Sequence, residues 1–109
     1  MPAIFVQNFT VGIQVGNSNI GTTATTAALM TTNINFPDVM VVNNGQVGVQ
    51  LAFGGPSVVA VNTASASGTT QTYIPAGAVM ILGRNTANYF SSITDSGVGS
   101  LILHPGTGS

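Results

Sequence analysis

Asn43-Asn44-Gly45-Gln46-Val47-Gly48-Val49-Gln50-Leu51-Ala52-Phe53 is the stretch that decides how this chain is read. Val47, Val49, Leu51 and Phe53 alternate with Gly48, Gln50 and Ala52, the period of two that marks a strand with one face turned inward. The Asn-Gly pair ahead of it favours a two-residue type I′ hairpin turn, whose central residues need φ > 0. Before that pair, residues 39–42 read Val-Met-Val-Val. An unbroken apolar run of this length predicts a strand buried on both faces or lying against a neighbouring subunit.

Working outward, Val11, Ile13 and Val15 alternate with polar or small residues and end in the turn Gly16-Asn17-Ser18-Asn19. Residues 22–32 are Thr-rich and low in complexity, and read as an extended arm or irregular loop. Ile34 and Phe36 alternate up to Pro37, whose missing N–H marks an edge or a break. Downstream, Gly54-Gly55-Pro56 turns the chain into residues 58–61, and 62–68 form a small-residue loop. Strands are predicted at 70–74, 78–82, 89–93 and 98–103. Pro75-Ala76-Gly77 between the first two suits a type I turn with Pro second and Gly fourth. The result is an all-β chain: an antiparallel sandwich or jelly roll of about eight short strands, with no sustained helical period. It reads as one domain over 1–109, with 1–32 as an extended arm or loop region. The expected core is Val47, Val49, Leu51, Phe53, Val79, Ile81, Leu101 and Leu103.

Only Asp38, Arg84 and Asp95 carry formal charge among 109 residues, where about a quarter would be usual. One Arg and no Lys give phosphates nothing to bind, so nucleic acid and anionic membrane surfaces are excluded as partners. The N-terminal stretch lacks the basic n-region of a signal peptide, and no apolar run approaches about 18 residues. Without cysteine there are no disulfides and no thiolate metal sites. Thr, Ser and Asn make up roughly a third of the chain, and mean hydropathy is +0.46. A net charge of −1 gives a free monomer little colloidal protection. The composition therefore predicts a surface covered by copies of the chain or by a partner, through contacts that salt has little charge to screen.

Few residues here could do chemistry. Asp95-Ser96-Gly97 has the form of an aspartic-protease loop, and Ile81-Leu82-Gly83-Arg84-Asn85 is similar to the second motif of retroviral proteases. Their order is reversed from that family, with no chain left after the Asp for flap or substrate strands. Asp95 is instead expected to accept hydrogen bonds within its own turn. His104 is the sole His, too few to hold a metal with two Asp and no Cys. Ser96 and Ser100 lack a Gly-x-Ser-x-Gly elbow, and the glycines form no phosphate loop. The Asn8-Phe9-Thr10 sequon carries no weight in a chain this rich in Asn and Thr. The expectation is a protein that is not an enzyme, with no catalytic residues, cofactor or metal. Arg84 is read as an ion-pair partner of Asp38 or Asp95 in or beside an interface. Tyr73, Tyr89 and Phe90 are read as core or interface aromatics rather than a sugar-stacking platform. The interface candidates are Thr22, Thr23, Thr25, Thr26, Val39, Val41, Arg84 and Tyr89.

Asn43-Asn44-Gly45 leading into Val47-Gly48-Val49-Gln50-Leu51-Ala52-Phe53-Gly54, then Tyr73-Ile74-Pro75-Ala76-Gly77, and finally Ser92-Ile93-Thr94-Asp95-Ser96-Gly97 running to Leu101-Ile102-Leu103-His104-Pro105-Gly106 resemble small virion proteins of tailed bacteriophages. The likeness covers about 60 residues and is to head decoration, or cement, proteins. It implies a small β-rich oligomer that clamps the outer capsid surface, a trimer in preference to a dimer, whose partners are itself and the major capsid protein. No functional residues are carried over. Two other readings stand beside it: a carbohydrate- or ligand-binding β-sandwich module, and a tail, fibre or adhesin subunit that polymerises by donating residues 4–15 as a strand.

Overall fold

The computed structural model describes residues 9–11, 14–61 and 70–108. They form strands β1 (Phe9–Val11), β2 (Val15–Ile20), β3 (Ala28–Leu29), β4 (Asp38–Asn43), β5 (Val49–Gly54), β6 (Thr70–Ile74), β7 (Val79–Gly83), β8 (Tyr89–Ile93) and β9 (Gly99–Gly108), with no helix among them. The first sheet runs β1-β9-β4-β7, with β2 also paired to the long β9, and the second runs β3-β8-β5-β6. Every pairing is antiparallel.

Late strands pair with early ones in nested order: β2 with β9, β3 with β8, β4 with β7, and β5 with β6. Rolling this nested ribbon up adds the β4–β9 and β5–β8 contacts and gives a jelly roll. From β2 onward every connection but β5–β6 therefore crosses from one sheet to the other. This overturns the expected hairpin at Asn43-Asn44-Gly45, because β4 and β5 lie in different sheets. Neither Asn44 nor Gly45 has a positive φ. Pro75-Ala76-Gly77 also crosses between sheets, and its turn starts one residue later than expected. The Ala78 amide donates to the Pro75 carbonyl at 3.0 Å, and Gly77, third in the turn, has the φ of 78° that a type II turn requires there.

The core lies between the sheets. Val39 and Val41 of β4, Val49, Leu51 and Phe53 of β5, Phe90 of β8, Leu101 and Leu103 of β9, and Ile20, Met30 and Ile74 make one cluster. The expected core holds for Val49, Leu51, Phe53, Leu101 and Leu103 but fails at Val47, which is half-buried outside both clusters, and at β7. Directly opposite residues of an antiparallel pair share a face. Leu82 faces Val39 and Met80 faces Val41, so these two turn inward while Val79 and Ile81 turn outward. β4 itself is buried on alternate residues, not on both faces. Within the stretch 1–32, residues 15–20 and 28–29 are strands, and Ile20 and Met30 are core. Residues 1–8, 12–13 and 62–69 lie outside the described residues, and with them fall part of the expected arm, most of the donor segment, the sequon's Asn8 and the small-residue loop.

One end of the sandwich is tied by Asn43, which is 1% exposed. Its Nδ2 donates to the carbonyls of Val47 (3.0 Å) and Ile74 (2.9 Å), and its Oδ1 accepts from the Gly45 amide (3.0 Å). Its backbone N–H donates to Ala78 and its carbonyl accepts from Gly77. One residue thereby joins the β4–β5 crossing to the β6–β7 crossing. At the same end the Thr94 amide donates to Gly21 at 2.9 Å, joining the β8–β9 crossing to β2–β3. The loop around Asp95 is closed by the Thr94 hydroxyl, which donates to Gly97 at 3.0 Å, and not by Asp95, which is exposed.

Asn43→Ala should cost about 2–4 kcal/mol, because it strands one buried carbonyl, one part-buried carbonyl and a part-buried amide without partners. Asn43→Asp keeps the acceptor but loses the donor, and should be no less destabilising. Urea midpoints of both variants measured against the unaltered chain check this.

Candidate assembly surface

The outer faces of the two sheets differ. That of the β3-β8-β5-β6 sheet is covered by the chain itself over β8 and part of β5, while Leu29 and Tyr73 on the edge strands stay about half exposed. Val58 and Ala60 pack with Ala52 and Ile93, joined at the margin by Ala24, Ala27 and Tyr89. Ser91 Oγ accepts from the Ala60 amide (3.0 Å) and donates to the Thr25 carbonyl (2.8 Å). Thr25 Oγ1 accepts from the Ser92 amide at 2.9 Å, and Gln71 holds Val61 by its backbone. Residues 90–93 of β8 are consequently buried on both sides.

On the other sheet the outward residues are Met40 and Val42 of β4, Val79 and Ile81 of β7, and Ile102 and His104 of β9. The registers set them in two rows. Val42 stands between Val79 and Ile102, and Met40 stands between Ile81 and His104. Directly opposite side chains lie about 5 Å apart, so five apolar side chains and one imidazole form a continuous face. None of these five apolar residues belongs to either core cluster; Val79 is 61% exposed and the other four are half-buried. Of the formal charges only Asp38 is on this face, at its end opposite Gly83 and Gly106.

Arg84 ties the end of the sandwich remote from Asn43. Its Nε donates to Phe36 O (2.5 Å), Nη1 to Ala87 O (2.7 Å) and Asn88 Oδ1 (2.8 Å), and Nη2 to Asn33 O (2.8 Å). The side chain is buried, at 4% exposure, and all its partners are amide or carbonyl oxygens. This replaces the expected ion pair with Asp38 or Asp95: a planar guanidinium can satisfy several divergent carbonyls at once. Next to it, Ala87 N donates to Arg84 O at 2.9 Å across Asn85 and Thr86, whose φ values are 49° and 65°. Two successive positive φ values are those of a type I′ turn. A cleft of about 560 Å³ lies between this turn and residues 54–59, with Tyr89 in its wall.

Of the remaining sequence candidates, Thr22, Thr23 and Thr26 are exposed near the β2–β3 crossing, and Thr25 is held against β8. Val39 and Val41 are 0% exposed and face the core, while Tyr89 is half-buried between the small cluster and the cleft. The structure brings none of these eight onto the open face. That face is made of their neighbours, Met40 and Val42 beside Val39 and Val41, which an unbroken apolar run cannot sort into inner and outer. The one available signal was pairing with β7, which fixes the parity of both strands.

Neither a family profile nor a curated protein matches the chain in sequence. A solved structure of the disulfide-linked pili that form Bacillus endospore appendages is similar over 97% of this chain and 95% of that one, at 12% identity and a TM-score of 0.38. The present chain has no cysteine with which to form such links. A likeness at this level leaves function to the chain's own surfaces.

Two outcomes follow from the Arg84 end. Arg84→Lys should destabilise by about 2–4 kcal/mol, since one ammonium cannot reach acceptors arranged around a planar fork. Thr86→Gly should stabilise by about 0.5–1 kcal/mol, because a β-branched residue at positive φ is strained and glycine is not. Thermal or urea unfolding monitored by circular dichroism reads both.

Proposed function

We propose that this chain is a structural subunit that works by assembling with copies of itself, and that its setting is the outer surface of a tailed-bacteriophage capsid, where it decorates and stabilises the shell. The observation that carries the reading is the contiguous apolar face of Met40, Val42, Val79, Ile81 and Ile102, which ends on the exposed Val79, on a sandwich whose other face is covered in part by residues 58–61. A contiguous apolar surface with almost no charge around it marks a contact site. Burial contributes about 25 cal/mol per Å² of apolar surface removed from water, and Val79, at 61% exposure, has the most to bury. The capsid setting rests on the resemblance of the second half to decoration proteins. Appendage or fibre subunits share the same physical requirement.

The reading assigns the chain no catalytic step. Among the described residues no three of His, Asp and Glu come together, and Asp95 lies in the loop before β9 while His104 lies within that strand. A second reading, as a carbohydrate-binding module, draws on the cleft beside Arg84, where Asn85, Asn88, Ser57 and Tyr89 offer amide, hydroxyl and aromatic groups.

Multi-angle light scattering tests the assembly. At micromolar concentration the chain should run as an oligomer, with a trimer and a dimer distinguished by mass, and molar salt should leave that mass unchanged. Val42→Asp should give a folded monomer. A monomer at every concentration, or dissociation by modest salt, would contradict the proposal, and glycan-array binding by that monomer would move the assignment to the cleft.

A further inference from the structure

Each sheet has two edges, and three of the four are poor templates for another strand. One edge of the first sheet is shared by β1, only three residues long, and β2, which is polar and bulged between Asn17 and Ile20, with Asn19 at φ 61°. β3 has two residues. β6 reads Thr-Gln-Thr-Tyr-Ile and runs into Pro75. Bulges, short strands, polar residues and prolines are the devices that protect sheet edges. β7 has none of them. It reads Val-Met-Ile-Leu-Gly, pairs regularly with β4 on one side, and among the described residues nothing pairs with its other side. Met80 and Leu82 face the core yet are only half-buried, as they must be where the sheet stops.

We infer that two copies of this chain pair β7 with β7, antiparallel and centred on Ile81, joining their two open sheets into one. This rests on the self-assembly reading and names the contact. With Ile81 opposite Ile81, Met80 meets Leu82 of the second copy, so inward residues meet inward residues and both cores stay on one side. A slip of one residue would set Met80 against Ile81 and put the sandwiches on opposite sides of the joined sheet. Val79, the most exposed large residue of the strand, meets Gly83, where nothing stands within 4 Å of the place a side chain would take. The two Asp38 carboxylates, each opposite Gly83 in its own copy, fall at opposite ends of the paired strands, and no charge on β7 opposes the contact. The second copy is the occupant because this register is self-complementary residue by residue. The joined strands also extend the apolar face, since Val79, Ile81, Met40 and Val42 of both copies then lie side by side.

Single cysteines test this in a chain that has none. Opposite residues of an antiparallel pair lie within disulfide range, so Ile81→Cys under mild oxidation should convert most of the protein to a covalent dimer of twice 10.9 kDa. Val42→Cys, one strand further in, should remain uncross-linked. Cross-linking through Val42→Cys and not Ile81→Cys would show sheets stacked face to face and overturn the inference. An oligomer by light scattering with neither cross-link would overturn it too, while leaving self-assembly intact. A monomer by light scattering is the separate failure of the assembly reading.

Discussion

The jelly roll depends on what happens where its ribbon crosses between sheets, and at one end that is settled by the side-chain amide of Asn43. Antiparallel hairpins can be closed by a turn alone, but here all the connections from β2 onward except β5–β6 span two sheets, and their backbone groups must find partners outside a hairpin turn. A buried carbonyl left without a donor costs about 1–3 kcal/mol. Asn43 supplies the donors for Val47 and Ile74 and takes the Gly45 amide, so two crossings share one buried residue. Arg84 has the matching role at the far end, joining residues 33–37 to the turn at 84–88. Both clamps use fixed amide or guanidinium geometry and no ion pair, which is how a chain with three formal charges closes its ends.

This economy of charge has a consequence for the surface. Most domains keep themselves apart with lysine and glutamate on their sheet faces and edges. This chain covers part of one outer face with its own residues 58–61 and presents on the other the half-buried to exposed row of Met40, Val42, Val79, Ile81 and Ile102. This apolar face and the β7 edge, with which nothing pairs among the described residues, belong to the same sheet and adjoin one another. A partner strand at that edge would extend the face, so the two features favour one mode of association.

Much of the architecture was legible in the sequence because strand periodicity and turn residues are local. The all-β sandwich and the inward set Val49, Leu51, Phe53, Leu101 and Leu103 followed from alternation alone. What failed was non-local. Asn44-Gly45 has the chemistry of a type I′ turn but is used to cross between sheets, because the nested pairing gives β4 and β5 to different layers. The type I′ geometry occurs instead at Asn85-Thr86, where a β-branched Thr at positive φ is strained and the neighbouring Arg84 contacts hold the backbone in place. The parity of β7 was lost for a related reason. Val-Met-Ile-Leu is apolar on both faces, so only its pairing with Val39 and Val41 decides which pair turns inward. Arg84 was singled out as the sole cation, but nothing local tells a caged guanidinium from an ion-paired one.

Methionine oxidation reports on the open sheet most directly, because the chain carries its own control. Met40 lies on the uncovered face and Met80 at the β7 edge, while Met30 is 4% exposed in the core. Peroxide oxidises exposed methionines readily, and peptide mass spectrometry gives each rate separately. If copies of the chain cover this sheet, the half-buried Met40 and Met80 should oxidise faster than Met30 in dilute protein and more slowly once it has assembled, with Met30 slow in both. Equal rates for Met40 and Met80 in dilute and concentrated protein would contradict the account.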